Sequence, residues 1–250
     1  EVEITAAAQT PIVFESFQRD DFAVLATIGS SDNEPRILAR KDRGIQRPGD
    51  LRGKRVGTQR GSAVHFFLHV FLLRHGLAEK DAQLSFRTPE ELPQALARGE
   101  IDAFCMREPF VSEAAKLLGK STVVFAEPGL YLKTFNLVAM KGQLDARRGA
   151  FERLLRALIR AESFAHEHPA QAIQIVAGKL GLKEPDLRAL WQELELRVSL
   201  GPGLLQGLED EARWAVASGL TRQRETPNYL RFLAPDALEA VRPSAVTVVH

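Results

Sequence analysis

The chain has 250 residues, 45% of them hydrophobic, so it can bury a sizeable core and is not a disordered, fibrous or disulfide-stapled miniprotein. Lys and Arg number 33 against 32 Asp and Glu, a net charge of +1, which removes the general electrostatic argument for nucleic-acid binding. The single cysteine, Cys105, allows neither an intramolecular disulfide nor a metal site built from several thiolates.

Short β-rich runs alternate with amphipathic helical patterns in the first part of the chain. The opening Glu-Val-Glu-Ile has the pattern of a strand already under way rather than a secretory signal, so we expect a processed or truncated start. Six further runs predict strands, at 24–28, 55–57, 83–87, 101–105, 122–125 and 136–140. Strands alternating with helices predict a mostly parallel sheet.

Four helix starts or faces have clear local signals. Thr10-Pro11 predicts a cap followed by a proline at the first helical position, and Thr88-Pro-Glu-Glu91 predicts a capping box. Ser62 opens a helix that runs through Leu73, and an apolar face between 151 and 165 predicts another. Beyond Lys141 the chain is predicted to be mainly helical.

Charge is unevenly distributed along the chain. Residues 36–134 carry 17 Lys and Arg against 11 Asp and Glu, a net of +6, whereas the remainder carries 16 against 21, a net of −5. Two interpretations stay open: a solvated basic face, or a positive lobe that faces a small anionic ligand.

The segment 50–63 has the pattern of a turn, a short strand and a Gly-Ser loop that opens a helix. Such a loop presents backbone N–H groups and the positive helix end to an anion, although a simple cap has the same local pattern. The ordered set Asp50-Leu-Arg-Gly-Lys-Arg-Val-Gly57, Gly61-Ser-Ala63, His75-Gly-Leu77, Ala97-Arg-Gly-Glu-Ile-Asp-Ala-Phe104 and Arg107-Glu-Pro-Phe110 resembles the substrate-binding proteins of bacterial ABC importers for nitrate, sulfonates, taurine and thiamine precursors.

The resemblance implies an α/β, two-lobed type II periplasmic-binding-protein fold. Its mixed, mostly parallel sheets would be flanked by helices, with the ligand cleft between the lobes. Lobe I would be 1–35 plus 135–250 and lobe II 36–134, with crossings at 36–41 and 135–141. The family normally has a helix and a strand where Ile4 here runs almost directly into Ala6-Ala-Ala-Gln9. Either the first lobe is unusually short or the sequence joins two segments, and we hypothesise the second, with a segment missing between Ile4 and Ala8.

The implied function is that of an extracytoplasmic receptor. It would capture a small polar or anionic molecule (a sulfonate, nitrate, carboxylate or pyrimidine-like compound) by lobe closure and deliver it to a membrane permease. We expect a monomer in the periplasm or a cell-surface lipoprotein, with no cofactor, metal or nucleic acid. The alternative is a biosynthetic enzyme of the menaquinone or pyrimidine pathway on the same fold, although one Cys argues against a Cys-rich iron motif.

Lobe I would supply polar ligand contacts near helix and strand ends. Gln9 and Thr10 are predicted to donate to ligand oxygens, although Thr10 can instead serve only as a cap. Thr134 and Asn136 flank the return crossing. Three residues that follow the strand 24–28 complete the set, and the acidic one allows an amine-bearing or zwitterionic ligand: Ser30, Ser31 and Asp32.

Lobe II would supply the anion cradle: Gly61, Ser62 and Ala63, with His65 one turn into the helix. The plainer interpretation of His65 is a partly exposed helix residue. Arg107 and Glu108 end the strand 101–105, where Arg107 can grip a sulfonate or carboxylate at two points or pair with a carboxylate. His65 and His69 share a helix face, but no Glu follows His65, so a zincin-like metal site is not predicted.

Overall fold

The computed structural model describes residues 3–248, which form two compact units: unit 1, residues 3–31 and 133–248, and unit 2, residues 32–132. Glu1 and Val2 of the predicted opening strand lie outside the described residues. The strands are β1 (Ile4–Ala8), β2 (Phe22–Ser31), β3 (Arg36–Arg40), β4 (Arg55–Thr58), β5 (Gln83–Phe86), β6 (Ala103–Met106), β7 (Thr122–Phe125) and β8 (Lys133–Met140). The α-helices are α1 (Gln9–Ser16), α2 (Ala63–Arg74), α3 (Leu92–Ala97), α4 (Phe110–Leu118), α5 (Arg148–Glu167), α6 (Pro169–Leu180), α7 (Glu184–Trp191), α8 (Pro202–Ala217) and α9 (Asp236–Glu239).

Unit 1 contains a three-stranded antiparallel sheet in the order β1-β8-β2. Strand β1 is continuous and pairs with β8 from Ile4↔Ala139 to Ala8↔Phe135. The described residues Ile4 to Ala8 thus form one unbroken strand, and the hypothesis of a missing segment in the sequence stays a prediction. The sheet is covered by helices whose apolar faces are buried, as on α5, where Phe151 and Leu155 belong to the core.

Unit 2 contains a five-stranded mixed sheet in the order β5-β4-β6-β3-β7. Only the pairs β4–β5 and β4–β6 are parallel, whereas β3 is antiparallel to both β6 and β7. The expectation of a mostly parallel sheet thus holds for two pairs. Strands β4, β5 and β6 follow one another through helices α2 and α3, and parallel pairing needs crossover connections of this kind. The connection from β3 to β4 contains no α-helix.

Local signals predicted one helix start well and two less well. Ser62 is the N-cap of α2, and its side chain accepts a hydrogen bond from the His65 N–H, as expected. Thr10 is not a cap, because α1 begins at Gln9 with Ala8 in the cap position. Only half of the Thr88–Glu91 capping box forms: the Thr88 N–H donates to Oε2 of Glu91 at 2.9 Å, but the Thr88 hydroxyl donates to the same oxygen and does not cap the Glu91 N–H. Helix α3 begins only at Leu92.

No helix within residues 3–248 combines the length and apolar character needed to cross a bilayer.

Candidate functional site

One edge of the unit 2 sheet gathers the predicted anion-binding groups. Strands β4 and β6 are adjacent and parallel, so they end at the same edge. The loop 59–62 follows β4 there, and Arg107 follows β6. Arg36, at the start of the antiparallel β3, pairs in register with Met106 and so lies at this edge as well.

Internal hydrogen bonds already occupy two of the predicted cradle groups. The Gly61 N–H donates to Nδ1 of His65 at 3.2 Å, and the Ser62 hydroxyl donates to the Gln59 carbonyl at 2.6 Å. Gly61 has a φ of 63°, a left-handed conformation that favours glycine at this turn. The backbone N–H groups of Ser62 and Ala63 find no acceptor among residues 3–248, and they remain available at the positive end of α2.

His65 supports this loop from inside the unit. Its side chain is buried, which corrects the expectation of a partly exposed helix residue. Because Nδ1 accepts from the Gly61 N–H, the ring proton must sit on Nε2, which lies 3.6 Å from Oε2 of Glu79. His69 contacts the other Glu79 oxygen at 3.0 Å. No group of three or more His, Cys, Asp or Glu side chains among the described residues is arranged to hold a metal.

Arg107 is half-buried and forms no ion pair with the carboxylates of residues 32–132. Its Nη1 donates to the Met106 sulfur at 3.7 Å. The expected alternative, a salt bridge to Glu108, is absent, since the Glu108 carboxylate accepts from the Ser112 N–H instead. Arg60, in the loop before α2, lies 5.5 Å over the Phe86 ring and is a second cation at this edge that sequence reasoning missed.

Much of the basic stretch 40–55 is already neutralised within unit 2. Arg40 pairs with Asp42 at 2.7 Å, and Arg55 with Asp102 at the same distance. The hydrogen bonds from Arg55 hold the pKa of Asp102 below its usual value. With the unit boundaries at 32 and 132, the excess of Lys and Arg falls to 16 against 13. The solvated-face interpretation therefore suits this stretch, and the positive site is local.

Unit 1 holds a chain of buried polar side chains beside the start of α1. Oε1 of Gln9 accepts from the Thr134 N–H at 2.9 Å and from the Thr134 hydroxyl at 2.6 Å. Nδ2 of Asn136 donates to the same hydroxyl at 2.9 Å, and the Thr27 hydroxyl donates to Oδ1 of Asn136 at 2.8 Å. The structure thus joins the predicted Gln9, Thr134 and Asn136 in one network, to which it adds Thr27.

Two buried hydrogen-bonding atoms beside this network have no partner within the described residues. A backbone N–H can only donate, so the Thr134 N–H fixes Oε1 of Gln9 toward it and turns Nε2 away. Nε2 of Gln9 and Oγ1 of Thr10 are both buried with no hydrogen-bond partner among residues 3–248. A buried donor left without an acceptor costs roughly 1–3 kcal/mol, and a ligand oxygen can remove that cost.

A glycine on α8 makes room for this arrangement. A Cβ at Gly207 would lie 2.9 Å from Nε2 of Gln9, closer than real side-chain contacts allow. Gly207 was not predicted as a site residue, because a lone glycine inside a helical pattern carries no local signal for close approach to a distant helix.

The predicted serines lie inside a strand rather than after it. Strand β2 continues to Ser31, because β8 and the segment around Glu195 both hydrogen-bond to it; the Ser30 N–H donates to the Glu195 carbonyl at 2.8 Å. Ser31 is buried and Asp32 is exposed. The strand is longer than predicted because its last residues are polar yet still paired.

Cys105 is enclosed in the β6 strand. Its thiol donates to the Val64 carbonyl at 3.2 Å, and burial raises its pKa well above the ordinary thiol value. A thiolate, the nucleophilic form, is therefore disfavoured at this position.

Comparison with known proteins first concerns the sequence. The model of the family described as "NMT1/THI5 like" matches residues 18–172. The "Putative aliphatic sulfonates-binding protein" of Escherichia coli is 25% identical over 188 residues, which cover 74% of this chain and 57% of that protein. The chain therefore spans little more than half the length of that curated relative.

Solved structures agree on the fold. The crystal structure of the periplasmic aliphatic sulphonate binding protein SsuA from Escherichia coli is 18% identical with a TM-score of 0.76, covering 93% of this chain and 79% of that one. The desulfurization enzyme DSZB is 16% identical with a TM-score of 0.68, covering 96% and 85%. These likenesses confirm the predicted periplasmic-binding-protein fold, and the matched family model shows that the chain belongs to the NMT1/THI5-like family.

Proposed function

We propose that the chain is the ligand-binding component of an ABC importer and captures an organic sulfonate outside the cytoplasm. The observation that carries the proposal is the family match over residues 18–172, supported by relatives named for aliphatic sulfonates. A membrane permease is the partner that this function requires.

The chemistry of the described groups supports an anionic ligand. A sulfonate presents three acceptor oxygens, which suit guanidinium N–H groups and backbone N–H groups at a helix start. In unit 2, Arg107, Arg60 and the N–H groups of Ser62 and Ala63 supply such donors. In unit 1, Nε2 of Gln9 and the Thr10 hydroxyl are buried donors with no acceptor in the described part of the chain. Each unit by itself therefore contains donors that suit an anion.

An enzymatic role is the second candidate, because the desulfurization enzyme DSZB shares the fold. The buried, protonated state of Cys105 makes this chain's thiol a poor nucleophile. Any enzyme proposal for this chain must therefore use chemistry other than attack by Cys105.

Thermal unfolding in the presence of candidate ligands tests the proposal. The screen includes ethanesulfonate, taurine, nitrate, acetate and a neutral sulfone of the same size as ethanesulfonate. A ligand at 100 times its dissociation constant adds about 2.7 kcal/mol to the stability of the folded state, which is readily seen as a raised midpoint. We expect the sulfonates to raise the midpoint and the sulfone to leave it unchanged.

Two variants make the test specific. Arg107→Gln should abolish most of the sulfonate-induced shift, because it removes the charged grip. Arg98→Gln is the matched control: Arg98 is an exposed arginine of the same unit, paired with Glu100 at 3.0 Å, and the shift should persist. A chain that is stabilised by none of the anions, or equally by sulfone and sulfonate, would contradict the proposal.

A further inference from the structure

Unit 1 contains an apolar cavity that is separate from its polar network. The cavity has a volume of about 480 Å³ and lies among Ile28 of β2, helices α5 and α6, Trp191 of α7 and the segment 196–198. Its wall is almost entirely hydrocarbon. Cavities of roughly 300–1,000 Å³ with apolar walls and a few polar groups are typical of small-molecule sites.

Large apolar side chains at this cavity remain open to solvent. Ile175 is 61% exposed and Phe164 is 36% exposed. Folded chains rarely leave neighbouring large apolar groups in water without a binding role, because each covered methylene is stabilising. The occupant must therefore bring hydrocarbon of its own.

The charges in the wall determine which head group the occupant carries. The lining includes one cation, Arg160, and one carboxylate, Glu162. Glu162 is neutralised by Nη1 of Arg242 at 2.9 and 3.0 Å, and it also accepts from the Val198 N–H at 2.6 Å. Arg160 is exposed and forms no ion pair with the carboxylates of residues 3–248. The unsatisfied charge at the cavity is thus positive.

We propose that this cavity binds a free medium-chain aliphatic carboxylate, with its chain against Trp191, Ala161 and Val176 and its head group on Arg160. A planar guanidinium grips a carboxylate at two points, and the apolar wall covers the chain. The site lies wholly within unit 1 and uses none of the residues assigned to the sulfonate. The carboxylate site therefore does not depend on the proposed sulfonate function.

Fluorescence titration of the purified chain with hexanoate, octanoate and decanoate tests the assignment. The chain has two tryptophans: Trp191 lines the cavity, whereas Trp214 is buried in α8. We expect a saturable change in emission, with affinity rising roughly fourfold per buried methylene. Equal affinity for hexanoate and decanoate, or binding to anionic phospholipid vesicles without binding of free decanoate, would overturn the proposal.

Three variants separate the head-group and chain contacts. Arg160→Gln, an exposed change that keeps helix propensity, should weaken decanoate binding about tenfold or more. Arg156→Gln is the matched control, since Arg156 lies one turn earlier on α5 and pairs with Glu152 at 3.3 Å; it should bind as the wild type does. Ala161→Phe places a ring at an exposed position in the lining and should block binding. Unchanged affinity in Arg160→Gln or Ala161→Phe would refute the site.

Discussion

Gln9→Met should lower the stability of the folded chain, because it changes how many donors of the unit 1 polar network are buried without an acceptor. Methionine has a similar length but cannot accept the two hydrogen bonds that Gln9 receives from Thr134. The Thr134 N–H and hydroxyl would then be buried without acceptors. The same change also removes Nε2 of Gln9, which is already buried with no partner among residues 3–248.

The net effect follows from these three groups. Each buried donor without an acceptor costs roughly 1–3 kcal/mol, so two such donors created and one removed leave a net destabilisation of about 2 kcal/mol. For a chain of this size that corresponds to a fall of roughly 4–8 °C in the unfolding midpoint. Thermal unfolding followed by circular dichroism measures it.

Gln18→Met is the matched control, because Gln18 is an exposed glutamine in the turn after α1. It should change stability by no more than about 0.5 kcal/mol. The sulfonate-induced shift should fall in Gln9→Met and persist in Gln18→Met. If Gln9→Met unfolds at or above the wild-type midpoint, Oε1 of Gln9 does not serve Thr134 and the reasoning fails.

Three further experiments concern Gly207, Asp102 and Cys105. Gly207→Ala places a Cβ 2.9 Å from Nε2 of Gln9, so the Gln9 amide must shift and we expect a weakened sulfonate-induced shift; the unfolding midpoint should change less than in Gln9→Met, because alanine favours the helix. A wild-type sulfonate-induced shift would refute the close approach. Asp102→Asn should destabilise unit 2 by about 1.5–3 kcal/mol at pH 7, as its carboxylate accepts charge-assisted hydrogen bonds from Arg55. Folding lowers the pKa of Asp102, so the stability that its carboxylate contributes is fully present above the unfolded pKa of about 3.9 and is lost as pH falls through the folded pKa. In strong acid, urea unfolding should therefore give the same stability for the variant and the wild type. Cys105 should resist a thiol reagent at pH 8 until the chain is unfolded, and fast labelling of the native chain would contradict its burial.

Local sequence signals predicted the elements that depend on local chemistry. Ser62 caps its helix as expected, since a side chain at the cap reaches the N–H groups two or three residues on. The strands 122–125 and 83–87 were placed almost to the residue by β-branched and apolar composition. Thr10 failed as a cap because Gln9 is already helical, held by contacts to Thr134, a residue distant in the chain.

Within the candidate site, residue type was predictable but pairing was not. The sequence named Gln9, Thr134 and Asn136, and the fold joined them in one network. It also named Gly61 and Arg107. Only the structure shows that the Gly61 N–H donates to His65 and that Arg107 forms no ion pair with a carboxylate of its own unit. The domain boundaries, ligand contacts and substrate remain predictions for the experiments above.

The sequence by itself determined the family, the alternation of strands and helices, and the supply of arginines and small polar residues. The tertiary structure decided which of those groups are already satisfied. A hydrogen bond or ion pair between distant residues, such as Arg55 with Asp102, leaves no periodic or local trace in the sequence. The distinction between a neutralised basic face and an available cation therefore exists only in the folded chain, where burial and partner distances determine the charge that a ligand meets.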